Sequence, residues 1–184
     1  MPKIYLSAGE LASAFSISIR PDALEACAAF PAVRLLGQGA SVRVGEELVN
    51  IPYRLHLDPS FIHVDHLTSL QQDIVNCLLT RHSDGFVRQN HLTRIVRLNH
   101  VWVPPFVVQL AGEYVIEILN VICQNLEALD PSTYGDFLRN NPAFLTLTEQ
   151  RIKSYRDCYY RNETGKEYVG FKILEFFRSL QQPT

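Results

Sequence analysis

Between Val107 and Ile122 the sequence carries eleven apolar residues: Val107, Val108, Leu110, Ala111, Tyr114, Val115, Ile116, Ile118, Leu119, Val121 and Ile122. Pro104-Pro105 precedes them and suits the first turn of a helix, where a missing N–H leaves nothing unpaired. Wound as one helix over about 105–124, the segment keeps Gln109, Glu113, Glu117, Asn120 and Gln124 on a single narrow face, because steps of four, four, three and four stay in register with 3.6 residues per turn. A helix that is apolar around most of its circumference has to be covered by other elements. It is also a poor membrane span, since Glu113 and Glu117 would sit in mid-bilayer, where charge is costly.

The rest of the chain has the material for that cover. Its 184 residues are 47% apolar, 10% aromatic and 20% charged, the balance of a packed domain rather than of a disordered chain. No linker or repeat divides it, so a single domain over 1–184 is expected: short helices and a β-hairpin in 1–66, a helical hairpin and the central helix in 67–129, and aromatic-rich helices in 130–184. Ser7 and Glu10 form a capping pattern before a first short helix, and Pro21 opens a second that ends at Pro31. From about 41 to 57 the apolar period falls to two, through Val42, Val44, Val49, Ile51, Tyr53, Leu55 and Leu57, which predicts a hairpin with one long strand; Pro52 puts that strand at an edge or at a bulge. Thr68 and Gln71 cap a helix carrying Leu70, Ile74, Val75, Leu78 and Leu79, and His82-Ser-Asp-Gly85 ends it. A partner helix from about Phe86 to Leu98 buries Val87, Leu92, Ile95 and Val96. Asp130-Pro131 and Asn141-Pro142 read as loops, ahead of helices from about Thr148 to Arg161 and from Lys166 to Leu180. The expected class is α+β and predominantly helical: a multi-helix bundle around the central apolar helix, with a small N-terminal β-hairpin.

Function is less legible. A net charge of −2 gives no bulk attraction for nucleic acid, and Met1-Pro-Lys-Ile-Tyr has no apolar run of signal-peptide length, so a cytoplasmic protein is expected. Cys27, Cys77, Cys123 and Cys158 are far apart in sequence and form no C-x-x-C pair, as in reduced, buried thiol usage. The chain has no G-x-S-x-G, phosphate loop or dinucleotide fingerprint, and so implies no cofactor.

Five groupings remain. All six histidines lie between His56 and His100, and His63, Asp65 and His66 could ligate a metal. His63-Val-Asp65-His66 resembles part of the metallo-β-lactamase H-x-H-x-D-H motif, with Phe61 at the first histidine's place; the resemblance implies a metal-dependent hydrolase as an alternative. Arg88, Arg94 and Arg97 offer an arginine face for binding a partner, with Glu113 and Glu117 as salt-bridge partners or, with Gln109, as the lining of a cleft. Asp84-Gly-Phe-Val-Arg88, followed by Leu92 and Ile95, is similar to the turn and second helix of a HEAT repeat, a family whose stacked helical pairs bind other proteins; the likeness covers one pair. Glu10 to Ser18 resembles the first helix and turn of a helix-turn-helix with the hairpin as a wing, which would make the chain a DNA-binding regulator. The recognition segment Asp22–Phe30, however, has two acids and no Lys or Arg. Arg151 to Arg161 interleaves basic and aromatic residues, and an amphipathic helix with a mixed-charge face accounts for them. The expectation is therefore a non-enzymatic protein-binding or regulatory domain whose partner is another protein, not a membrane or nucleic acid.

Overall fold

A computed structural model describes residues 4–161 and 168–182. Helices dominate and the strands form two small antiparallel sheets, so the chain is α+β and predominantly helical, as its periodicities require. It divides into two compact units, 1–95 and 96–184. No helix among the described residues is long and apolar enough to cross a membrane.

In the first unit, strand β1 (Ile4–Leu6) runs into helix α1 (Ala8–Ala12). The capping box forms: the Glu10 N–H donates to Ser7 Oγ at 3.3 Å, and Glu10 Oε2 accepts from the Ser7 N–H at 2.7 Å. Helix α2 (Arg20–Ala28) has Pro21 in its first turn. Buried Gln71 ties it to α3 (Ser69–Leu79), its Nε2 donating to Asp22 at 3.1 Å and to Glu25 at 2.9 Å. The two acids of the segment that resembles a recognition helix thus face a neighbouring helix.

Strands β3 (Ala40–Val44) and β4 (Glu47–Ile51) form the expected hairpin, with Gly45 in the turn at φ +57°, a conformation glycine adopts without a Cβ clash. The single long strand does not form. Pro52 ends β4, and the next strand, β5 (Arg54–His56), pairs with β2 (Val33–Leu36) in a second sheet ordered β1-β2-β5. A proline that cannot donate to the ladder divides the run between two sheets.

The link from α3 to α4 (Gly85–Ile95) is held by side-chain and main-chain hydrogen bonds. The Leu55 N–H donates to Arg81 O at 2.7 Å and the Ser83 N–H to Leu55 O at 2.8 Å, closing the open edge of β5. His82 Nε2–H donates to Leu57 O at 2.9 Å while its Nδ1 accepts from the Asp84 N–H at 2.9 Å, which fixes the tautomer. Asp84 Oδ1 caps α4 by accepting from the Phe86 N–H at 2.7 Å. Arg88, expected on an outward arginine face, is only 2% exposed: its Nη1 donates to His82 O at 2.9 Å and to Ser83 O at 3.0 Å. It clamps the turn from inside.

In the second unit, helix α5 (Pro104–Ala111) buries all eight of its residues. It packs against α6 (Ile116–Gln124), α7 (Pro131–Asn140), α8 (Pro142–Tyr159) and α9 (Val169–Gln181). The central apolar helix is therefore present but shorter than expected, because the segment 105–124 is two helices rather than one. Asp130-Pro131 and Asn141-Pro142, expected as loops, open α7 and α8 with proline in the first turn; Asp130 accepts from the Thr133 N–H at 2.8 Å. The expected start of the last helix at Lys166 lies outside the described residues.

Buried thiols follow this packing. Burial pushes the Cys27 thiol up to about 12 and that of Cys77 well above its usual range, whereas Cys158 is exposed. The Arg88 clamp has a measurable consequence. Arg88→Met keeps the apolar stem and removes both donors, and should lower the unfolding free energy, measured by chemical denaturation, by about 3 kcal/mol.

Candidate interaction surface

Helix α5 stops at Gly112, which lies against α8: a Cβ there would come within 3.3 Å of the Arg151 side chain and 3.5 Å of Thr148 Cγ2. The Gly112 N–H bonds Gln109 O and the Glu113 N–H bonds Leu110 O, a tightened last turn, and helical hydrogen bonding resumes only with Ile118 N–H to Val115 O. The break reorients Tyr114. In a continuous helix it would join the buried face; here it is 48% exposed and touches two rings of α8.

Those rings are Tyr155 and Tyr159, four apart and so on one face of α8. The Tyr114 centroid is 5.8 Å from Tyr155 in an edge arrangement and 5.6 Å from Tyr159, and Tyr155 lies 6.1 Å from Tyr159. The contacts continue through Tyr160, 6.4 Å from Tyr159, to Tyr168, stacked at 5.2 Å, and to Phe171 at 5.5 Å. The Tyr160 hydroxyl donates to Tyr114 O at 2.5 Å and so pins the break. Burial grades along the row: Tyr168 is buried, Tyr155 and Tyr160 are half-buried, and Tyr159 is 63% exposed. Around it residues 149–161, the C-terminal part of α8 and the two residues after it, carry Arg151, Lys153, Arg156 and Arg161 against Glu149 and Asp157, a local excess of positive charge. Glu149 accepts from Lys153 Nζ at 2.6 Å and from Arg178 Nη2 at 2.5 Å; the Lys153 bond first, then the Arg178 bond and both charges, hold its carboxyl below the usual range.

The residues singled out in the sequence are dispersed by comparison. Gln109 and Glu113 are buried, 4% and 3% exposed, whereas Glu117 faces solvent, so the polar stripe does not line one cleft. Arg97 is exposed and its Nε donates to Asn125 Oδ1 at 2.6 Å. His63, Asp65 and His66 are exposed on the segment before α3, and no group of three or more His, Cys, Asp or Glu among the described residues is arranged to hold a metal ion. The remaining histidines separate too: His56 is bonded to Ser83 Oγ, His82 is in the α3–α4 turn, and His100 is stacked on Trp102.

Arg94 and His91 do come together. They form one side of a cleft of about 140 Å³ in the first unit, whose other walls are Gln72, Val75, Asn76 and Leu79 of α3 and Pro59, Ile62 and Val64 of the preceding segment. His91 Nδ1–H donates to Asn76 Oδ1 at 2.7 Å. Burial first, then the neighbouring charge of Arg94, brings the His91 imidazole from its ordinary 6.5 down to about 4.

Two outcomes follow. Replacing Tyr160 by Phe should cost about 1 kcal/mol in chemical denaturation and speed amide exchange at residues 113–116, because the pin on the break is lost. For His91, the unfolded chain binds the proton between pH 6.5 and 4 while the folded chain does not. Its contribution to stability is therefore complete above pH 6.5 and falls as the pH drops towards 4. The decline in melting temperature from pH 7 to 5 should be shallower in His91→Gln than in the parent. Compared with known proteins, the chain matches no protein family, no curated protein and no solved structure.

Proposed function

We propose that this chain is a non-enzymatic protein-binding domain and that its partner docks on the tyrosine surface of the second unit. The observation that carries the reading is the joined exposure of Tyr114 and Tyr159, at 48% and 63%, on a base of rings that are progressively buried. Tyrosine with arginine is the composition of interface hot spots: a stiff ring loses little entropy on docking, and its hydroxyl retains a polar contact. Support from beneath matters as much. Tyr155 and Tyr160 hold the exposed rings in place, so they enter a complex already ordered. The positive excess of α8 favours a partner whose docking segment is acidic at its edges.

This shifts the interface away from the arginine face. Arg88 is committed to the α3–α4 turn and Arg97 to Asn125, whereas Tyr114 and Tyr159 keep exposed rings in contact with one another.

The test has two stages. A photo-crosslinking amino acid at position 159, with position 147 of the same helix as control, should give one dominant crosslinked protein from position 159 alone. With that protein purified, Tyr159→Ser should weaken binding at least about tenfold in calorimetry, and Arg161→Glu should slow association. Equal crosslinking at both positions, or an affinity unchanged by Tyr159→Ser, would sink the proposal. Crosslinking to RNA instead would reassign the surface to single-stranded nucleic acid.

A further inference from the structure

We infer that the cleft between α3, α4 and residues 59–64 is a binding site for a small carboxylic acid with a compact apolar body. Its walls divide by chemistry. Val75 and Leu79 are buried, and with Pro59, Ile62 and Val64 they make the apolar part. Arg94 carries the only formal charge of the lining, which contains no Asp or Glu. Helix α3 contributes Gln72, Val75, Asn76 and Leu79, spaced three, one and three, so they share a single face; α4 contributes His91 and Arg94, three apart. Sequence spacing therefore builds the cleft.

Gln72 spends its Nε2 on Val64 O and Leu67 O, at 3.3 and 3.0 Å, which leaves two donor groups at the rim without partners among the described residues. Arg94 makes no hydrogen bond or ion pair among the described residues. Its place in the last turn of α4 complements the helix dipole, but that leaves its N–H groups without acceptors. Asn76 uses Oδ1 to accept from His91 Nδ1–H, and its Nδ2–H2 group has no partner among the described residues. A guanidinium and an amide beside one apolar hollow match a carboxylate, which takes a forked pair of hydrogen bonds from Arg and one more from the amide. His91 fits the same reading as a neutral wall: it adds no second positive charge at neutral pH, so a single anionic group is balanced by a single cation.

Size sets the body of the ligand. A cavity of about 150 Å³ holds one benzene, and this cleft measures about 140 Å³. A ring of six carbons or a branched chain of four or five fills it, whereas a long acyl chain or a nucleotide does not. The ligand class is an aromatic or branched short-chain carboxylate.

The probes are benzoate and isovalerate, with benzyl alcohol as the neutral analogue and acetate as the anion without a body. They are titrated into the full chain while nuclear magnetic resonance follows the side chains of Asn76, His91 and Arg94. Benzoate or isovalerate should give saturable shifts confined to the cleft, with a dissociation constant in the millimolar range or below. Benzyl alcohol and acetate should each bind at least about tenfold more weakly, since one lacks the charge-assisted bonds and the other the apolar contact. Arg94→Gln, at an exposed position where folding is not at stake, should weaken benzoate about tenfold or more and leave benzyl alcohol unchanged. Ile62→Phe, which fills the hollow, should weaken both. No saturable shift with either carboxylate would overturn the inference. So would acetate binding as tightly as benzoate, or Arg94→Gln leaving benzoate untouched.

Discussion

Complete burial of Pro104–Ala111 is the constraint on which the second unit depends. No face of α5 is left for water, so four helices have to close around it, and each supplies an apolar face: Ile118, Leu119 and Ile122 from α6, Tyr134, Phe137 and Leu138 from α7, Phe144, Leu145 and Ile152 from α8, and Ile173, Leu174 and Phe177 from α9. Burying eight residues in one short helix removes apolar area at roughly 25 cal/mol per Å², which outweighs the backbone bonds lost where the helix stops. The same constraint sets where it stops. A longer straight helix would carry the stripe residue Glu113 and those after it further along the packed axis, whereas a break at Gly112 lets α6 turn its own apolar face inward and releases Glu117 and Tyr114 to the outside.

The break thus links core to surface. Gly112 is tolerated because the side chains of Thr148 and Arg151 already occupy the space beside it, and Tyr160 replaces some of the missing helical bonding by donating to Tyr114 O. An exposed pair of tyrosines follows from the way the core was closed. In the first unit a single turn has the equivalent part. Residues 81–84 complete the edge of β5, cap α4 through Asp84 and receive Arg88 from below, so one short link joins the sheet to the helical hairpin.

Much of this was legible in the chain. The Ser7–Glu10 and Thr68–Gln71 spacings gave capping boxes that exist, and periodicity placed Ile74, Val75, Leu78 and Leu79 of α3 and Leu92 and Ile95 of α4 in the core, though not Arg88. What failed did so for identifiable reasons. Apolar period 3.6 is blind to a break that preserves phase, so Val107 to Ile122 looked continuous across Gly112. Asp130-Pro131 and Asn141-Pro142 read as loop signals, although a polar residue followed by proline is also how a helix begins, as Arg20-Pro21 does here. Strands β1 and β2 are three and four residues long, too short for an alternation to register. Periodicity also cannot say which charge on a polar face will be claimed by main-chain carbonyls: Arg88 and Arg94 look alike in sequence, and only the turn carbonyls of His82 and Ser83, ahead of α4, separate them.

That separation bears on how function can be read in a chain of mixed charge. Three arginines within ten residues suggest one surface, yet a guanidinium has five donors and settles wherever acceptors are arranged for it. Arg88 finds two carbonyls of a turn, and Arg97 finds the Asn125 amide oxygen. Arg94 finds nothing among the described residues and stands over an apolar hollow. Within such a set, the residue whose donors the fold leaves unused is the one with binding capacity to spare. By the same logic the tyrosines of the second unit divide into those the fold uses, Tyr134 and Tyr168 in the core, Tyr155 beneath the exposed rings and Tyr160 at the break, and those whose rings remain at the surface, Tyr114 and Tyr159. Sorting side chains by what the fold has already claimed, rather than by type or sequence proximity, is what distinguishes the two proposed sites from the rest of this chain.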